Sequence, residues 1–332
     1  MNTQNTSAAK LANAVTFHQK GALNEAQKIY EEILKVDPQC FDAIQLLGVV
    51  FLQKNAFADA LRYFDDALKI NDQQASVWSN RGMALKGLDR FDEGLQSIEK
   101  SIKVDPKFAE SFYNQANILA KIGRAKDAIL ALDRYINLVP KSSLAFFLKG
   151  NLLQHEGNLS DAVKSYESAI EIHPQFIEAM NNLGLCLVDM GNPELGLVYF
   201  DRAISIQPTF YESIANKGVA LEKLGRYEEA IAFYDKALEL KPDFVNAHQN
   251  KGVSLDRLDK LEEALKSYDR AITLDPKCGS AYFNRAYVMD RLLRFKEALS
   301  DYDMAIALNP EKLDTHWNRS LLLLCSGDYE NG

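Results

Sequence analysis

The chain of 332 residues lacks the sequence features of membrane, secreted and nucleic-acid-binding proteins. No apolar run approaches the ~20 residues that span a bilayer, and the nearest candidate covers only 321–325. Residues 1–7 are polar, without a basic start followed by an apolar stretch, so no secretory signal is predicted. The formal net charge of −8 argues against general nucleic-acid binding. We therefore expect a cytoplasmic protein that binds neither membranes nor nucleic acids.

Motifs for metal binding and catalysis are also missing. The chain has four cysteines, Cys40, Cys186, Cys278 and Cys325. None forms a Cys-x-x-Cys pair, which fits a reducing compartment without a disulfide framework. The histidines have no acidic or cysteine cluster at ligand spacing, and no Gly-rich phosphate loop, nucleophile elbow or paired-carboxylate signature occurs. We expect no catalytic residue, no cofactor and no metal site, so the chain as given is not predicted to be an enzyme.

Proline is scarce, but its placement is regular. Eight of the nine prolines share one 34-residue spacing: Pro38, Pro106, Pro140, Pro174, Pro208, Pro242, Pro276 and Pro310. Asp72 occupies the single gap in this series. Proline cannot continue a helix and pushes the preceding residue out of helical geometry. A structural unit therefore ends every 34 residues, which predicts a repeat array.

Three further columns follow the same spacing. Repeats start near residues 7, 41, 75, 109, 143, 177, 211, 245, 279 and 313, and numbering within each repeat places the proline at position 32. Positions 8 and 20 carry mainly glycine or alanine, as in Gly218 and Ala230, and position 24 is large, as in Tyr234. Small residues on both helices let two backbones approach closely. We expect the large residue to fill the space between neighbouring helix pairs.

The segments between these columns have helical periodicity and clear stop signals. Gly225 follows the apolar pattern of 214–224 at a place where most repeats carry residues that accept positive φ. Leu293 is the exception, and we expect strain or a different turn there. Asn192 followed by Pro193 has the signature of a helix start, an N-cap residue and then proline at the first helical position.

These columns resemble the tetratricopeptide repeat, a 34-residue helix–turn–helix unit. The resemblance covers nine complete repeats from about Ser7 to Pro310 and a truncated tenth from Leu313. It implies an all-α fold, a right-handed α-solenoid superhelix of antiparallel helix pairs over residues 7–332, preceded by a polar arm at 1–6. Each repeat of such an array contacts mainly its neighbours, and the stack presents a concave groove.

Asparagine dominates position 6, which faces the concave groove in the family that the repeats resemble. Seven repeats carry it, Asn80, Asn114, Asn182, Asn216, Asn250, Asn284 and Asn318, and Leu46 and Leu148 interrupt the column. The side-chain amide matches the donor and acceptor of a peptide unit. Repeats advance by ~10 Å and an extended chain by ~3.3 Å per residue, so each asparagine could bind about every third residue of a peptide. Asparagine is also common here in such repeats generally, and it could brace a neighbouring helix; both interpretations stay open.

Other groove-facing positions add aromatic and charged groups. Aromatic candidates for peptide contact are Tyr113, Phe147, Phe283, Tyr287 and Trp317. Position 12 is acidic in three repeats and each acid is followed by a base: Glu222–Lys223, Asp256–Arg257 and Asp290–Arg291. We therefore expect a groove of mixed charge. The carboxylate clamp of chaperone-binding tetratricopeptide domains is absent, because position 5 never carries lysine and position 6 never carries arginine.

Two functions follow from these patterns. The first is a scaffold that binds extended peptide segments or protein partners in the concave groove. The second rests on the asparagine column, which resembles the repeats of O-linked N-acetylglucosamine transferase, and on residues 327–332, which resemble the junction to the glycosyltransferase domain in bacterial proteins of that type. The chain would then be the substrate-recognition arm of a glycosyltransferase whose catalytic domain lies beyond Gly332. Because the tenth repeat lacks most of its second helix, self-association through this uncapped end is a further expectation.

Overall fold

The computed structural model describes residues 2–325, and side chains from residue 8 onward. This part of the chain forms nineteen helices and no strand. They are α1 (Asn2–Gln19), α2 (Leu23–Val36), α3 (Phe41–Gln53), α4 (Phe57–Ile70), α5 (Ala75–Gly87), α6 (Phe91–Val104), α7 (Ala109–Lys121), α8 (Ala125–Leu138), α9 (Ser143–His155), α10 (Leu159–Ile172), α11 (Ile177–Asp189), α12 (Pro193–Ile206), α13 (Tyr211–Lys223), α14 (Tyr227–Leu240), α15 (Val245–Arg257), α16 (Leu261–Leu274), α17 (Gly279–Arg291), α18 (Phe295–Leu308) and α19 (Leu313–Cys325).

The predicted all-α architecture of paired helices is confirmed. Nine consecutive pairs correspond to the nine complete repeats, and α19 opens the tenth. Helix α1 starts at Asn2, so helical backbone covers residues 2–6, the stretch that the sequence assigned to a polar arm. The residues that follow α19, including Gly327 and the predicted junction at 327–332, lie outside the described part. The chain divides into two compact units, an N-terminal unit (Met1–Ile172) and a C-terminal unit (His173–Gly332).

Each pair is closed by a large residue at position 24 that lies against the small residue at position 8 of the same repeat. A Cβ atom on Gly218 would lie 2.6 Å from the Tyr234 ring, and one on Gly184 would lie 2.6 Å from Phe200. The Tyr234 and Phe200 side chains are fully buried. The expectation that position 24 fills the space between neighbouring pairs is therefore refined. Its ring packs first against the partner helix within its own pair, where the missing side chain leaves room for it.

The repeat ends are braced from position 4 of the next repeat. Trp78 Nε1 donates a hydrogen bond to the carbonyl oxygen of Asp72 at 2.8 Å. His248 Nε2 lies 3.0 Å from the Pro242 carbonyl oxygen, where it donates the equivalent bond. His316 makes the same contact with the Pro310 carbonyl oxygen at 2.8 Å. In these three repeats position 4 thus ties a repeat to the end of the preceding one, including the end where proline is missing.

Ion pairs join consecutive repeats at a second place. A base at position 7 reaches the acid at position 25 of the preceding repeat, sixteen residues earlier. The pairs are Arg81–Asp65 (2.6 Å), Lys149–Asp133 (2.5 Å), Lys217–Asp201 (2.5 Å), Lys251–Asp235 (2.5 Å), Arg285–Asp269 (2.6 Å) and Arg319–Asp303 (2.6 Å). Because each pair spans two neighbouring repeats, it favours the native stacking of one pair on the next.

The turn between the two helices of a repeat uses a left-handed residue. Gly225 has φ 72°, and Asn55 reaches φ 58° at the same place. Leu293 adopts φ 60°, so it forms the same turn as the other repeats, and the expectation of a different turn there is wrong. Left-handed backbone costs a residue with a Cβ about 1–2 kcal/mol. The Leu293 side chain is 74% exposed and offsets little of this cost by burial.

Replacing Leu293 by glycine is predicted to stabilise the protein by about 0.5–1 kcal/mol, because glycine adopts positive φ without the steric penalty but loses more chain entropy. Urea unfolding followed by circular dichroism measures the effect. The matched control is Leu130→Gly, which alters another exposed leucine (62% exposed) within helix α8. Glycine inside a helix should destabilise the protein by about 1 kcal/mol. A lower midpoint for both variants would contradict a strained turn at Leu293.

Candidate functional site

The position-6 asparagines all lie on the first helix of their repeats and are half-buried. The C-terminal unit carries asparagine at this position in five consecutive repeats, on α11, α13, α15, α17 and α19. In the N-terminal unit Leu46 and Leu148 interrupt the column, and only Asn80 and Asn114 supply amides. The C-terminal unit therefore contains the longer uninterrupted series of amide groups.

Two of these asparagines brace the preceding repeat. Asn114 Nδ2 donates a hydrogen bond to Ser79 Oγ at 2.9 Å. Asn216 Nδ2 donates to Asn181 Oδ1 at 2.9 Å, and Ser213 Oγ donates to the same oxygen at 3.0 Å. Asn181 itself is only 7% exposed, so this network is part of the packing between repeats. The bracing interpretation of the asparagine column thus has direct support at Asn114 and Asn216.

The remaining position-6 asparagines differ in their hydrogen bonds. Asn182 Oδ1 accepts a hydrogen bond from Asn181 Nδ2 at 3.2 Å. Within residues 8–325, no side-chain hydrogen bond is made by Asn80, Asn250, Asn284 or Asn318. Three of these four, Asn250, Asn284 and Asn318, occupy successive repeats of the C-terminal unit. Their donors and acceptors remain available, which is the property that a peptide-binding amide needs.

A concave pocket of about 420 Å³ lies in the C-terminal unit where this series ends. Its lining residues come from α15, α16, α17 and α19: Val253, Asp256, Arg257, Tyr268, Phe283, Asn284, Tyr287, Arg291 and Asn318. Four predicted contact residues meet there, since Asn284, Asn318, Phe283 and Tyr287 all line it. Tyr287 is 45% exposed and offers an accessible aromatic surface. The pocket combines amide, aromatic and charged groups, a composition suited to a peptide side chain.

The acidic and basic side chains at the pocket differ in their exposure and pairing. Asp256 pairs with Arg291, whose Nη2 also lies 2.6 Å from Asp259 Oδ1. The Asp256 side chain is only 15% exposed, so its carboxylate is largely covered. Arg257 is exposed and makes no ion pair within the described residues. Lys312 Nζ lies 4.1 Å from the Phe283 ring centroid, which places a cation over one aromatic wall. This pocket therefore has charged groups of both signs, and the exposed ones in and beside it are mainly cationic, while the mixed charge of the whole groove stays a prediction.

The remaining predicted aromatic contacts are distributed elsewhere. Tyr113 packs against Tyr135 with ring centroids 5.2 Å apart, and Phe147 lies 6.0 Å from Tyr166. Trp317 is 71% exposed on α19, on a face shared with the exposed Leu313 and Leu321. The expectation of self-association through the uncapped C-terminal end stays a prediction.

Sequence reasoning missed the role of the position-12 residues. They lie beside the buried position-24 side chain of the same repeat, where a tyrosine hydroxyl needs an acceptor. Tyr234 OH donates to Glu222 Oε2 at 3.3 Å, and Tyr166 OH donates to Gln154 Oε1 at 2.8 Å. The repeats with tyrosine at position 24 carry His18, Gln154, Glu222, Asp256 and Asp290 at position 12. The repeats without it carry Leu52, Lys86, Ala120 and Val188. The hydrogen bond forms in three of these five tyrosine repeats, since Tyr30 OH also lies 3.4 Å from His18 Nδ1, whereas the buried Tyr302 OH has no partner among the described residues.

Glu222 is the most enclosed of these acids. Its Oε2 accepts hydrogen bonds from Ser254 Oγ at 3.0 Å and from Tyr234 OH, so it joins three consecutive helices, α13 to α15. Burial raises the pKa of the Glu222 carboxyl above its ordinary value, although both hydrogen bonds and the nearby cations Lys223 and Arg257 act in the opposite direction. The acid is therefore a structural acceptor at the base of the groove.

Within residues 2–325, no group of three or more histidine, cysteine or acidic side chains is arranged to hold a metal ion. None of the helices in this range is both long enough and apolar enough to cross a membrane. Cys186 is buried, and burial raises the pKa of its thiol to about 11.

Comparison with known proteins identifies the repeats. Tetratricopeptide repeat models match residues 17–82, 80–143, 144–176, 177–210, 211–244 and 245–278. Among curated proteins none matches the chain. A tetratricopeptide repeat protein from Parabacteroides merdae has a similar structure, with a TM-score of 0.65 and 13% identity over 75% of this chain and 98% of that one. This likeness supports the fold.

Two smaller solved structures are also similar. MamA is 25% identical, with a TM-score of 0.48, and covers 51% of this chain and 92% of its own. YrrB, described as a TPR protein with an unusual peptide-binding site, is 24% identical, with a TM-score of 0.46, over 56% of this chain and 96% of its own. The resemblance to O-linked N-acetylglucosamine transferase is not tested by these comparisons and stays a prediction.

Replacing Glu222 by glutamine is predicted to stabilise the protein at pH 7. Glutamine retains an acceptor for Tyr234, as Gln154 does for Tyr166, and removes a buried charge. Because the folded-state pKa is raised above 4.5, the folded protein holds more protons than the unfolded chain between the two values, and the unfolding free energy falls as pH rises through this window.

Urea midpoints of both proteins, measured from pH 4 to pH 8, check this prediction. The advantage of Glu222→Gln should shrink as pH falls toward 4, where the wild-type carboxyl becomes protonated. Glu228→Gln, on the exposed side of α14, serves as a control for the loss of one negative charge. A constant difference across the pH range would contradict a raised pKa at Glu222.

Proposed function

Because this chain belongs to the tetratricopeptide repeat family, we propose that it is a protein-interaction scaffold that binds an extended peptide segment along its C-terminal unit. The observation that carries the proposal is the set of uncommitted amides of Asn250, Asn284 and Asn318 in three successive repeats, ending at the 420 Å³ pocket. Asn216 lies one repeat earlier but is engaged with Asn181, so it contributes to packing instead.

The spacing of these amides suits a peptide backbone. Neighbouring repeats advance by about 10 Å, and an extended chain by about 3.3 Å per residue. Three asparagines in successive repeats would therefore contact a segment of roughly nine residues, at every third peptide unit. An amide can donate to a backbone carbonyl and accept from a backbone N–H, so this contact is independent of peptide sequence.

Specificity would then come from the pocket. Phe283 and Tyr287 supply aromatic surface, and Arg257 supplies an exposed charge beside the amides of Asn284 and Asn318. Interfaces gain most of their binding energy from a few such aromatic and arginine contacts. The asparagine column would bind the peptide backbone, and the pocket would select the peptide side chain.

The test uses a dodecapeptide selected from a random phage-displayed library on the full chain, then synthesised with a fluorescent label. Fluorescence anisotropy should show that Asn250→Ala/Asn284→Ala/Asn318→Ala weakens its binding at least tenfold. The estimate follows from about 0.5–1.5 kcal/mol for each hydrogen bond and about 1.4 kcal/mol per tenfold change in Kd. The far-UV circular dichroism and the urea midpoint should stay near those of the wild type.

Two comparisons separate backbone binding from a structural effect. Asn114→Ala/Asn216→Ala removes two bracing amides, so it should lower the urea midpoint by more than the triple variant does. Peptides N-methylated at every third residue should bind the wild type more weakly than the parent peptide. Unchanged affinity of the triple variant, or equal binding of the methylated peptides, would contradict the proposal.

A further inference from the structure

Position 12 of one repeat and position 13 of the next repeat, 35 residues later, lie side by side. In repeats 1 and 2, His18 Nε2 lies 3.0 Å from Gln53 Oε1. In repeats 8 and 9, Asp256 forms its ion pair with Arg291. The two contacts occur in different units of the chain, so the geometry belongs to the repeat. Both pairs are complementary, a donor with an acceptor or an acid with a base.

Repeats 3 and 4 break this complementarity. Lys86 occupies position 12 and Lys121 occupies position 13, so two cations stand at the positions where His18–Gln53 and Asp256–Arg291 attract each other. Lys86 is half-buried, and its burial together with the charge of Lys121 lowers its pKa. Neither lysine makes an ion pair within residues 8–325. Asp89 occupies the place of Asp259, which binds Arg291, but no ion pair joins it to Lys121.

The residues around Lys86 explain why the protein itself provides no acceptor for its ammonium group. Position 24 of repeat 3 is Ile98, which is fully buried and has no hydroxyl. This repeat therefore needs no hydrogen-bond acceptor at position 12, and Lys86 occupies that position. The amide nitrogens of Asn114 and Asn117 are engaged with Ser79 Oγ and the Tyr113 carbonyl oxygen, at 2.9 and 3.0 Å. The ammonium groups of Lys86 and Lys121 therefore have no counter-ion among residues 8–325.

We propose that Lys86 and Lys121 form a subsite for an aspartate or glutamate side chain of a peptide bound along the N-terminal unit. A carboxylate between two ammonium groups accepts charge-assisted hydrogen bonds from both and relieves their mutual repulsion. The subsite goes beyond the proposed function, since it lies in the N-terminal unit and the proposed asparagine contacts lie in the C-terminal unit. Position 12 and position 13 differ from the clamp positions 5 and 6, which carry no lysine or arginine for this purpose.

The experiment uses the full chain and two labelled, C-terminally amidated dodecapeptides, one alternating alanine with glutamate and one alternating alanine with glutamine. Fluorescence anisotropy at low ionic strength should show at least tenfold tighter binding of the glutamate peptide to the wild type. Lys86→Gln/Lys121→Gln should remove this preference. The matched control, Lys107→Gln/Lys126→Gln, takes the same charge from two exposed lysines without ion pairs in the N-terminal unit and should retain it.

Three outcomes would overturn the proposal. The first is equal binding of the two peptides by the wild type, and the second is an undiminished preference in the Lys86→Gln/Lys121→Gln variant. The third is displacement by inorganic phosphate without any preference for the glutamate peptide, which would assign the site to free phosphate. The Asn250→Ala/Asn284→Ala/Asn318→Ala variant separates this test from the proposed function. Its substitutions lie in the C-terminal unit, so it should leave the preference for the glutamate peptide unchanged.

A second readout needs no ligand. Lys86→Gln should raise the urea midpoint of the free chain, because it removes a half-buried charge and its repulsion by Lys121. A site whose side chains lower stability and raise affinity is retained for binding. A lower midpoint for Lys86→Gln would show that the lysine supports packing, and would contradict the subsite.

Discussion

The contact on which every repeat depends is the close approach of its two helices at positions 8 and 24. A glycine or alanine on the first helix leaves the space that a buried ring or branched side chain on the second helix occupies, as at Gly218 and Tyr234. Packing at native density makes this fit sensitive to volume. The stacking of one pair on the next depends on other residues, the position-7 ion pairs and the position-4 bonds to repeat ends.

The contact between positions 8 and 24 also affects which side chains lie at the base of the groove. A tyrosine at position 24 buries a hydroxyl, and a buried hydroxyl needs a partner. The partner stands at position 12, where Glu222 and Gln154 accept from Tyr234 and Tyr166. The carboxylate of Glu222 is thus a consequence of core packing. Where position 24 is Ile98, the requirement vanishes, and Lys86 stands at a place from which other repeats exclude a cation.

The sequence predicted the fold well because its signals are local and repeated. Prolines mark repeat ends, small and large columns mark the helix contact, and turn residues such as Gly225 mark the loop. The sequence did not predict the role of individual residues where one repeat position serves two roles, as position 6 does. Asn216 and Asn250 are identical in the sequence, but only the first has a buried acceptor in the preceding repeat, Asn181. At Leu293 the sequence left strain or a different turn open, and the structure has the strained form of the common turn, because the backbone of the array imposes its turn on a residue that disfavours it.

An array of this kind can vary its groove without changing its framework. Positions 8, 20 and 24 bear on stability, while positions 12 and 13 vary in charge from one repeat to the next. Asp256 with Arg291 cancels charge at one place, and Lys86 with Lys121 concentrates it at another. An ion pair satisfied within the protein offers little to a ligand, because binding must first break it. Two lysines without a counter-ion have no such cost, so the repulsion that the folded chain tolerates between them favours an anionic ligand over a neutral one.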